Sequence, residues 1–260
     1  MAVSHKGSLK HITKMTYFVF FVVVTVMTLS VTVFKGGNDQ PRNQQDARPS
    51  FRKYQDHRER YPVVDAEEPE PSDAIKRARL KLQKQRYDKD APFYSEVGPE
   101  DGEVAFRPEW QFDFPALPVA QSDAVVIGKV LAAQAHRSQN KKNVFTNLDF
   151  QVDEVLKGRN LKVGSVITVQ RIGGFVKYAD GRTVLFRLSG NGMPAAGLRY
   201  ALFLNSIEGD FTLLTGYELG ADGVEPLDNS PQFGALRGQN EVSFTQILRD
   251  AVSQTIPQQE

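Results

Sequence analysis

In a chain without cysteine, chemistry must rest on histidines, carboxylates, hydroxyls and cations. The 260 residues hold four histidines, His5, His11, His57 and His136, and no cysteine. Thiolate metal sites, disulfide scaffolds and cysteine nucleophiles are thereby excluded, and a multi-histidine catalytic metal is disfavoured. His136 precedes Arg137 and Ser138 in a polar stretch that reaches Asn143. It could enter a Ser-His-Asp arrangement only if the fold brought a serine and a carboxylate to it, and no serine has the glycines of a nucleophile elbow around it. It therefore reads as a surface histidine. Asp222, Glu225 and Asp228 place three carboxylates within seven residues. Calcium-loop spacing is absent and Pro226 interrupts them, so they read as turn residues. Asp149, Asp153 and Glu154 are the first residues to inspect for an acid–base site assembled only in three dimensions. The Gly173-Gly174 pair and the glycines of 190–197 match neither phosphate-cradling pattern. No catalytic, cofactor-binding or metal-ligating residue is assigned, and the chain reads as a protein other than an enzyme.

Charge is more informative locally than in total. The formal net charge is +1, from 32 basic and 31 acidic side chains, so no bulk excess draws the chain toward nucleic acid or anionic lipid. Residues 129–199, however, carry twelve basic and four acidic side chains, and residues 200–260 carry two and nine. On one reading the basic sector, including Lys157, Arg171, Lys177, Arg182 and Arg187, forms a surface for an anionic polymer or an acidic partner. On the other, basic and acidic strands lie side by side and cancel as cross-strand pairs. The sequence alone does not say which strands are neighbours.

The elements that must position these residues lie after Pro118. Val125, Ile127 and 129–131 form one candidate strand; Leu148, Phe150 and Val152 alternate with Asp149, Gln151 and Asp153 in a second; residues 166–172 make a third. Asp180-Gly181 marks a hairpin between 176–179 and 182–186, because glycine supplies the positive φ that tight turns demand. In 199–205, Tyr200, Leu202 and Leu204 face one way and Ala201 and Phe203 the other, as in a strand covered on both faces. The chain then returns over 211–219 across a turn at 208–210 and turns again at 220–223 into a short edge piece. Ser243 with Gln246 three residues on predicts a capped helix over 244–255, with Phe244, Ile247, Leu248, Ala251 and Val252 as its buried stripe. Short strands, fifteen glycines after Pro118 and one late helix describe a mainly β domain over 116–260, a small barrel or sandwich, with Gly164, Gly173 and Gly174 placed for sharp bends.

Residues 122–128 (SDAVVIG), 155–158 (VLKG), 164–169, Gly173-Gly174 and 200–204 together resemble a group of uncharacterised bacterial exported domains. These are in turn similar to the OB-like barrels of netrin and metalloproteinase-inhibitor (TIMP-like) modules. The resemblance covers residues 120–230 and implies an OB-like β-barrel rather than an activity. The eukaryotic modules are stapled by cysteines, and the inhibitors chelate a protease zinc through an N-terminal cysteine. With no cysteine in this chain that activity does not carry over.

Upstream, residues 16–34 run without a charge and include twelve Val, Leu or Phe residues. Nineteen residues at helical rise span roughly 28 Å against a hydrocarbon core of about 30 Å, which predicts a single-pass transmembrane helix that is retained rather than a cleaved signal peptide. Residues 1–15 are expected in the cytoplasm and the C-terminal domain outside it. Residues 36–115 hold nine of the fourteen prolines and 31 charged residues, and read as a largely disordered tether. A helix over 73–88, capped by Ser72, is expected to interrupt it, and Phe106, Trp110, Phe112 and Phe114 suggest an extended strap on the domain. The functional expectation is a membrane-anchored extracytoplasmic binding or scaffolding module, with an acidic envelope component as its partner. An extracytoplasmic enzyme, or an OB-type binder of single-stranded nucleic acid if the domain were cytoplasmic, are the alternatives.

Overall fold

The computed structural model describes residues 58–88, 114–188 and 190–255, together with the backbone of 94–97. The apolar stretch 16–34, the N-terminal tail and Phe106, Trp110 and Phe112 lie outside the described residues. Within them no helix is long and apolar enough to cross a membrane.

The described chain is mainly β with a C-terminal helix. Its elements are β1 (Val63–Asp65), α1 (Ala74–Arg86), β2 (Tyr94–Val97), β3 (Ala124–Arg137), β4 (Val144–Lys157), β5 (Val166–Ile172), β6 (Gly174–Lys177), β7 (Thr183–Leu188), β8 (Arg199–Ile207), β9 (Asp210–Gly220), β10 (Gly223–Pro226) and α2 (Glu241–Thr255). One sheet has the order β10-β9-β5-β4-β3-β8, and β8 also pairs with β9. The ladder that runs from β9 through β5, β4, β3 and β8 thus returns to β9. Its pairs are antiparallel except β5 with β9, a short parallel contact at Val169↔Phe211 and Gln170↔Thr212. A second sheet, in the order β1-β6-β7-β2, leaves the first at the Gly173-Gly174 pair. A Cβ on Gly174, at φ +153°, would stand 2.9 Å from both Ala135 Cβ and Val144 Cγ1, so only glycine lets the chain bend from one sheet into the other here.

Alternation along the strands creates two cores. Val126, Val130, Leu148, Phe150, Val152, Tyr200, Leu202 and Leu204 gather on one side of the first sheet. Val125, Ile127, Ala201, Phe203, Tyr217 and Leu219 gather on the other, beneath Phe244, Leu248 and Val252 of α2. The two-faced pattern expected of 199–205 is the one found. A third, smaller core of Val64, Ala135, Val144, Val176 and Val184 lies against the second sheet. The 178–182 hairpin forms where Asp180-Gly181 placed it, but Tyr178 N–H donates to Arg182 O at 2.8 Å, so its loop has three residues, with Gly181 at φ +87°.

Several local expectations are corrected. Asn240, not Ser243, caps α2: its Oδ1 accepts the Ser243 N–H at 2.9 Å, and Gln246 pairs forward with Asp250. Ile247 stays 38% exposed, outside the buried stripe. Part of the segment read as tether is folded: β1 pairs in parallel with β6, and α1 rests on the strands. Of the aromatic strap, Phe114 packs beside Leu117 and Val119 on the α2 side, where its carbonyl accepts from Gln232 Nε2 at 2.9 Å.

Candidate binding groove beneath helix α1

Helix α1 begins at Asp73, whose carboxylate accepts from the backbone N–H of Ile75 at 2.8 Å and of Lys76 at 2.9 Å. The Lys76 N–H contributes most to holding the Asp73 carboxyl below its ordinary value. The cap is therefore Asp73 and not Ser72.

An amphipathic helix normally docks through a stripe of aliphatic side chains, but only Leu80 and Gln83 of α1 are buried. Polar groups do the rest. Asp210, at the start of β9 and 4% exposed, pairs with Arg79, accepts from Gln83 Nε2 at 2.9 Å and has Arg86 at 3.6 Å. Arg86 donates to Gln170 Oε1 at 2.6 Å and to Glu208 Oε2 at 2.9 Å. Asn147 Nδ2 donates to Gln83 Oε1 at 2.9 Å, and Gln170 Nε2 donates to Asn147 Oδ1 at 3.2 Å. After the helix, the Tyr87 ring stacks on Phe145 with centroids 4.4 Å apart, and burial pushes its hydroxyl pKa well up.

His136 belongs to this assembly and is not a surface histidine: it is 4% exposed, and its Nδ1 lies 2.6 Å from Glu68 Oε1. An ionised carboxylate only accepts, so Nδ1 carries the proton. Lys84 reaches the other Glu68 oxygen at 2.7 Å. Burial pushes the Glu68 carboxyl up, but His136 and Lys84 together outweigh it and hold the group below its ordinary value. Ser138 Oγ donates to Asn140 and accepts from the Asn143 N–H, so it is engaged within its own loop rather than with His136.

Between α1 and the strands a groove of about 560 Å³ is left. Its floor is Ala132 and Gln134 of β3, Asn147 and Asp149 of β4 and Thr168 of β5. Strand register sets these in rows, Ala132↔Asp149↔Thr168 beside Gln134↔Asn147↔Gln170. One wall is Lys76, Arg79 and Gln83 of α1, and the turn 68–71 closes the end. Asn147 and Gln83 are spent on the network described above. Gln134, Asp149, Thr168 and Lys76 have no side-chain hydrogen bond or ion pair among the described residues. The groove therefore offers an unspent carboxylate, amide, hydroxyl and ammonium, which suits a ligand carrying both hydroxyl or amide groups and an acidic group.

The residues singled out in the sequence are dispersed. Arg171 is buried against Asp228 and also donates to the carbonyls of Gly192, Leu213 and Leu214. Arg187 is buried beside Tyr61, whose hydroxyl desolvation raises to a pKa of about 12 against the lowering effect of that arginine. Lys157 donates to Val119 O at 2.7 Å and to Ser122 O. Lys177 is exposed, and Arg182 is exposed beside Asp180 and the Tyr178 ring. The five do not share one exposed face, because two of them hold the interior together. Asp228 is a buried ion-pair partner rather than a turn residue, while Glu225 faces Arg237 at 3.2 Å. Asp153 pairs with Arg199 and Glu154 with Arg249, so neither joins Asp149. Among the described residues no three His, Asp or Glu side chains are grouped to hold a metal ion.

The groove residues carried no local signal. Asp149 was visible as a strand carboxylate, but Gln134 and Thr168 become its neighbours only through the register of three strands. Compared with family models, curated proteins and solved structures, the chain matches none.

Proposed function

We propose that this chain is a binding or scaffolding module, held at the inner membrane by residues 16–34 with its N-terminus in the cytoplasm and its C-terminal domain in the extracytoplasmic space. The charge-free run at 16–34 supports the anchor. We read the returning five-strand ladder as a small OB-like barrel, similar to netrin-like and TIMP-like modules without their cysteines; the support is the ring of pairings through β9, β5, β4, β3 and β8, with one parallel contact.

The observation that carries the binding reading is the contrast within the groove, where the unspent side chains of Gln134, Asp149 and Thr168, drawn from two adjacent rows, adjoin a network in which Asn147, Gln170 and Asp210 are all engaged. Asp149 and Gln134 are both exposed, so their polar groups are open to a ligand that enters the groove. The partner is an envelope component that brings an acidic group to Lys76 and hydroxyl or amide groups to the floor. None of the large apolar side chains exposed among the described residues is aromatic, so the stacking on which single-strand nucleic-acid binding relies has no support on the described surface.

The test uses the full chain immobilised and exposed to envelope extract at low and high salt, followed by direct titration of the purified captured component. Wild type is expected to retain that component, and the Gln134→Ala, Asp149→Ala double variant to bind it about tenfold more weakly, the loss of one charge-assisted hydrogen bond. Equal titration curves for wild type and variant, or no capture by wild type at either salt, would overturn the reading.

A further inference from the structure

By strand alternation His136 follows Ala132 and Gln134 on the outward face of β3, because the intervening Ala133 and Ala135 pack into the cores beneath. It borders the groove together with Glu68 and Asp149. Its side chain is only 6% exposed, so a polar atom left there without a partner is costly. One ring nitrogen, Nδ1, donates to Glu68 Oε1 at 2.6 Å, and Lys84 holds the other Glu68 oxygen at 2.7 Å. The carboxylate is fixed from two sides, and it fixes the ring. The second nitrogen, Nε2, has no hydrogen-bond partner among the described residues, yet it is not one of the unpaired side-chain atoms sealed from solvent. The opening that His136 borders is the groove. With the proton on Nδ1, Nε2 of the neutral ring is a bare acceptor turned toward that space.

The groove thus combines two groups that only accept, His136 Nε2 and the Asp149 carboxylate, with two that both donate and accept, the Gln134 amide and the Thr168 hydroxyl. Lys76 on the wall adds a charged donor. Hydroxyls suit this mixture better than peptide amides. Each hydroxyl donates and accepts at one rotatable atom, whereas an amide N–H only donates and brings a carbonyl that the floor acceptors cannot pair. We propose that the ligand of the groove is a sugar acid, whose hydroxyls donate to His136 Nε2 and Asp149 and whose carboxylate rests on Lys76. The proposal deepens the reading of the groove as a binding site and rests on it. A volume of about 560 Å³ lies within the range that small-molecule sites occupy. Glu68, held in turn by Lys84, acts through the ring as a positioning residue. An imidazole ordered before the ligand arrives spares the entropy of fixing it on binding.

The test follows the histidine ring nitrogens of the full chain by 15N NMR, in a nonionic detergent without sugar headgroups. Three probes are titrated: digalacturonate, maltose, which has hydroxyls and no carboxylate, and an N-acetylated Glu-Glu amide, which has carboxylates and amides and no hydroxyl. His136→Asn assigns the signal, since the chain holds four histidines. Digalacturonate is expected to move the His136 Nε2 resonance and the dipeptide to leave it in place. The asparagine variant keeps a donor for Glu68 and loses the groove-facing nitrogen, so it should bind digalacturonate about fivefold more weakly while amide protection of α1 is unchanged. Lys76→Gln, at an exposed position, should weaken digalacturonate about threefold and leave maltose unaffected. Should the asparagine variant not fold, the wild-type resonance and Lys76→Gln still decide. An Nε2 resonance that digalacturonate does not move, or that the dipeptide moves as far, overturns the proposal, as does equal binding of digalacturonate by wild type and folded His136→Asn. The Gln134→Ala, Asp149→Ala variant separates the two readings. If it loses the captured envelope component while digalacturonate leaves Nε2 unmoved, the groove remains a binding site and the sugar acid is wrong; if it loses neither the component nor digalacturonate, the groove itself is not the site.

Discussion

Helices α1 and α2 cover the same strand system by opposite means. Helix α2 sits on it through Phe244, Leu248 and Val252, with the Phe244 ring 5.0 Å from that of Tyr217, and its ion pair between Arg249 and Glu154 is exposed. Helix α1 buries Leu80 as its one large aliphatic group and is otherwise held by Asp210, Gln170, Asn147 and Glu68. Burial of apolar surface is non-directional and, unlike an ion pair, is not screened by salt. A polar network is directional, and losing one member leaves others buried and unpaired. The first device therefore secures the domain, and the second secures one helix in one orientation beside a groove.

The sharpest way to break this contrast is Phe244→Ala. Emptying the α2 interface should cost about 3–5 kcal/mol of global stability, read as a shift in the urea midpoint that is the same at low and high salt. A loss under about 1 kcal/mol would mean that α2 is peripheral. A smaller and more local effect is expected from Asp210→Ala, which strips Arg79, Arg86 and Gln83 of their shared acceptor. The cost should be about 1–3 kcal/mol, discounted because Arg79 is half exposed. It should appear as amide exchange in Ala74–Arg86 accelerated roughly tenfold to a hundredfold, while β3, β4 and α2 keep their protection. Uniform acceleration over the whole domain would show that α1 is part of the global fold.

Acid should produce the smallest effect. Because the folded-state value of Glu68 is depressed, the carboxylate's pairing with His136 and Lys84 contributes stability in full above the unfolded carboxyl value of about 4.5. That contribution is lost as pH falls through the lower folded value. Exchange in α1 should therefore quicken below about pH 4.5, and Glu68→Gln should flatten that part of the profile. A profile unchanged by the variant would assign the acid response to other carboxylates.

The same contrast explains what could be read beforehand. The α2 stripe was legible because apolar residues at helical spacing report their own burial, and the missed details, the Asn240 cap and the exposed Ile247, are errors of one turn. The helical residues of α1 were legible as good helix formers, but the docking was not, since nothing in the spacing of Arg79, Gln83 and Arg86 points to Asp210, Glu208 or Gln170 more than eighty residues away. For the same reason His136 looked exposed: its polar neighbours in sequence are not its neighbours in space, which are Glu68 and Phe145. The basic sector failed as a single surface because strand pairing and loop packing put Arg171 and Arg187 inside.

By itself the sequence determined the mainly β character of 116–260, the two-faced strand at 199–205, the bend at Gly173-Gly174 and the late helix. Each of these follows from periodicity or from the conformational freedom of one residue, and such information is local. Only the tertiary structure decided that Asp149, Gln134 and Thr168 share a floor, that Arg171 meets Asp228, and that Glu68 meets His136. Those placements depend on which strands pair and in what register, and hydrogen bonds and charge pairs leave no periodic trace in the chain that makes them.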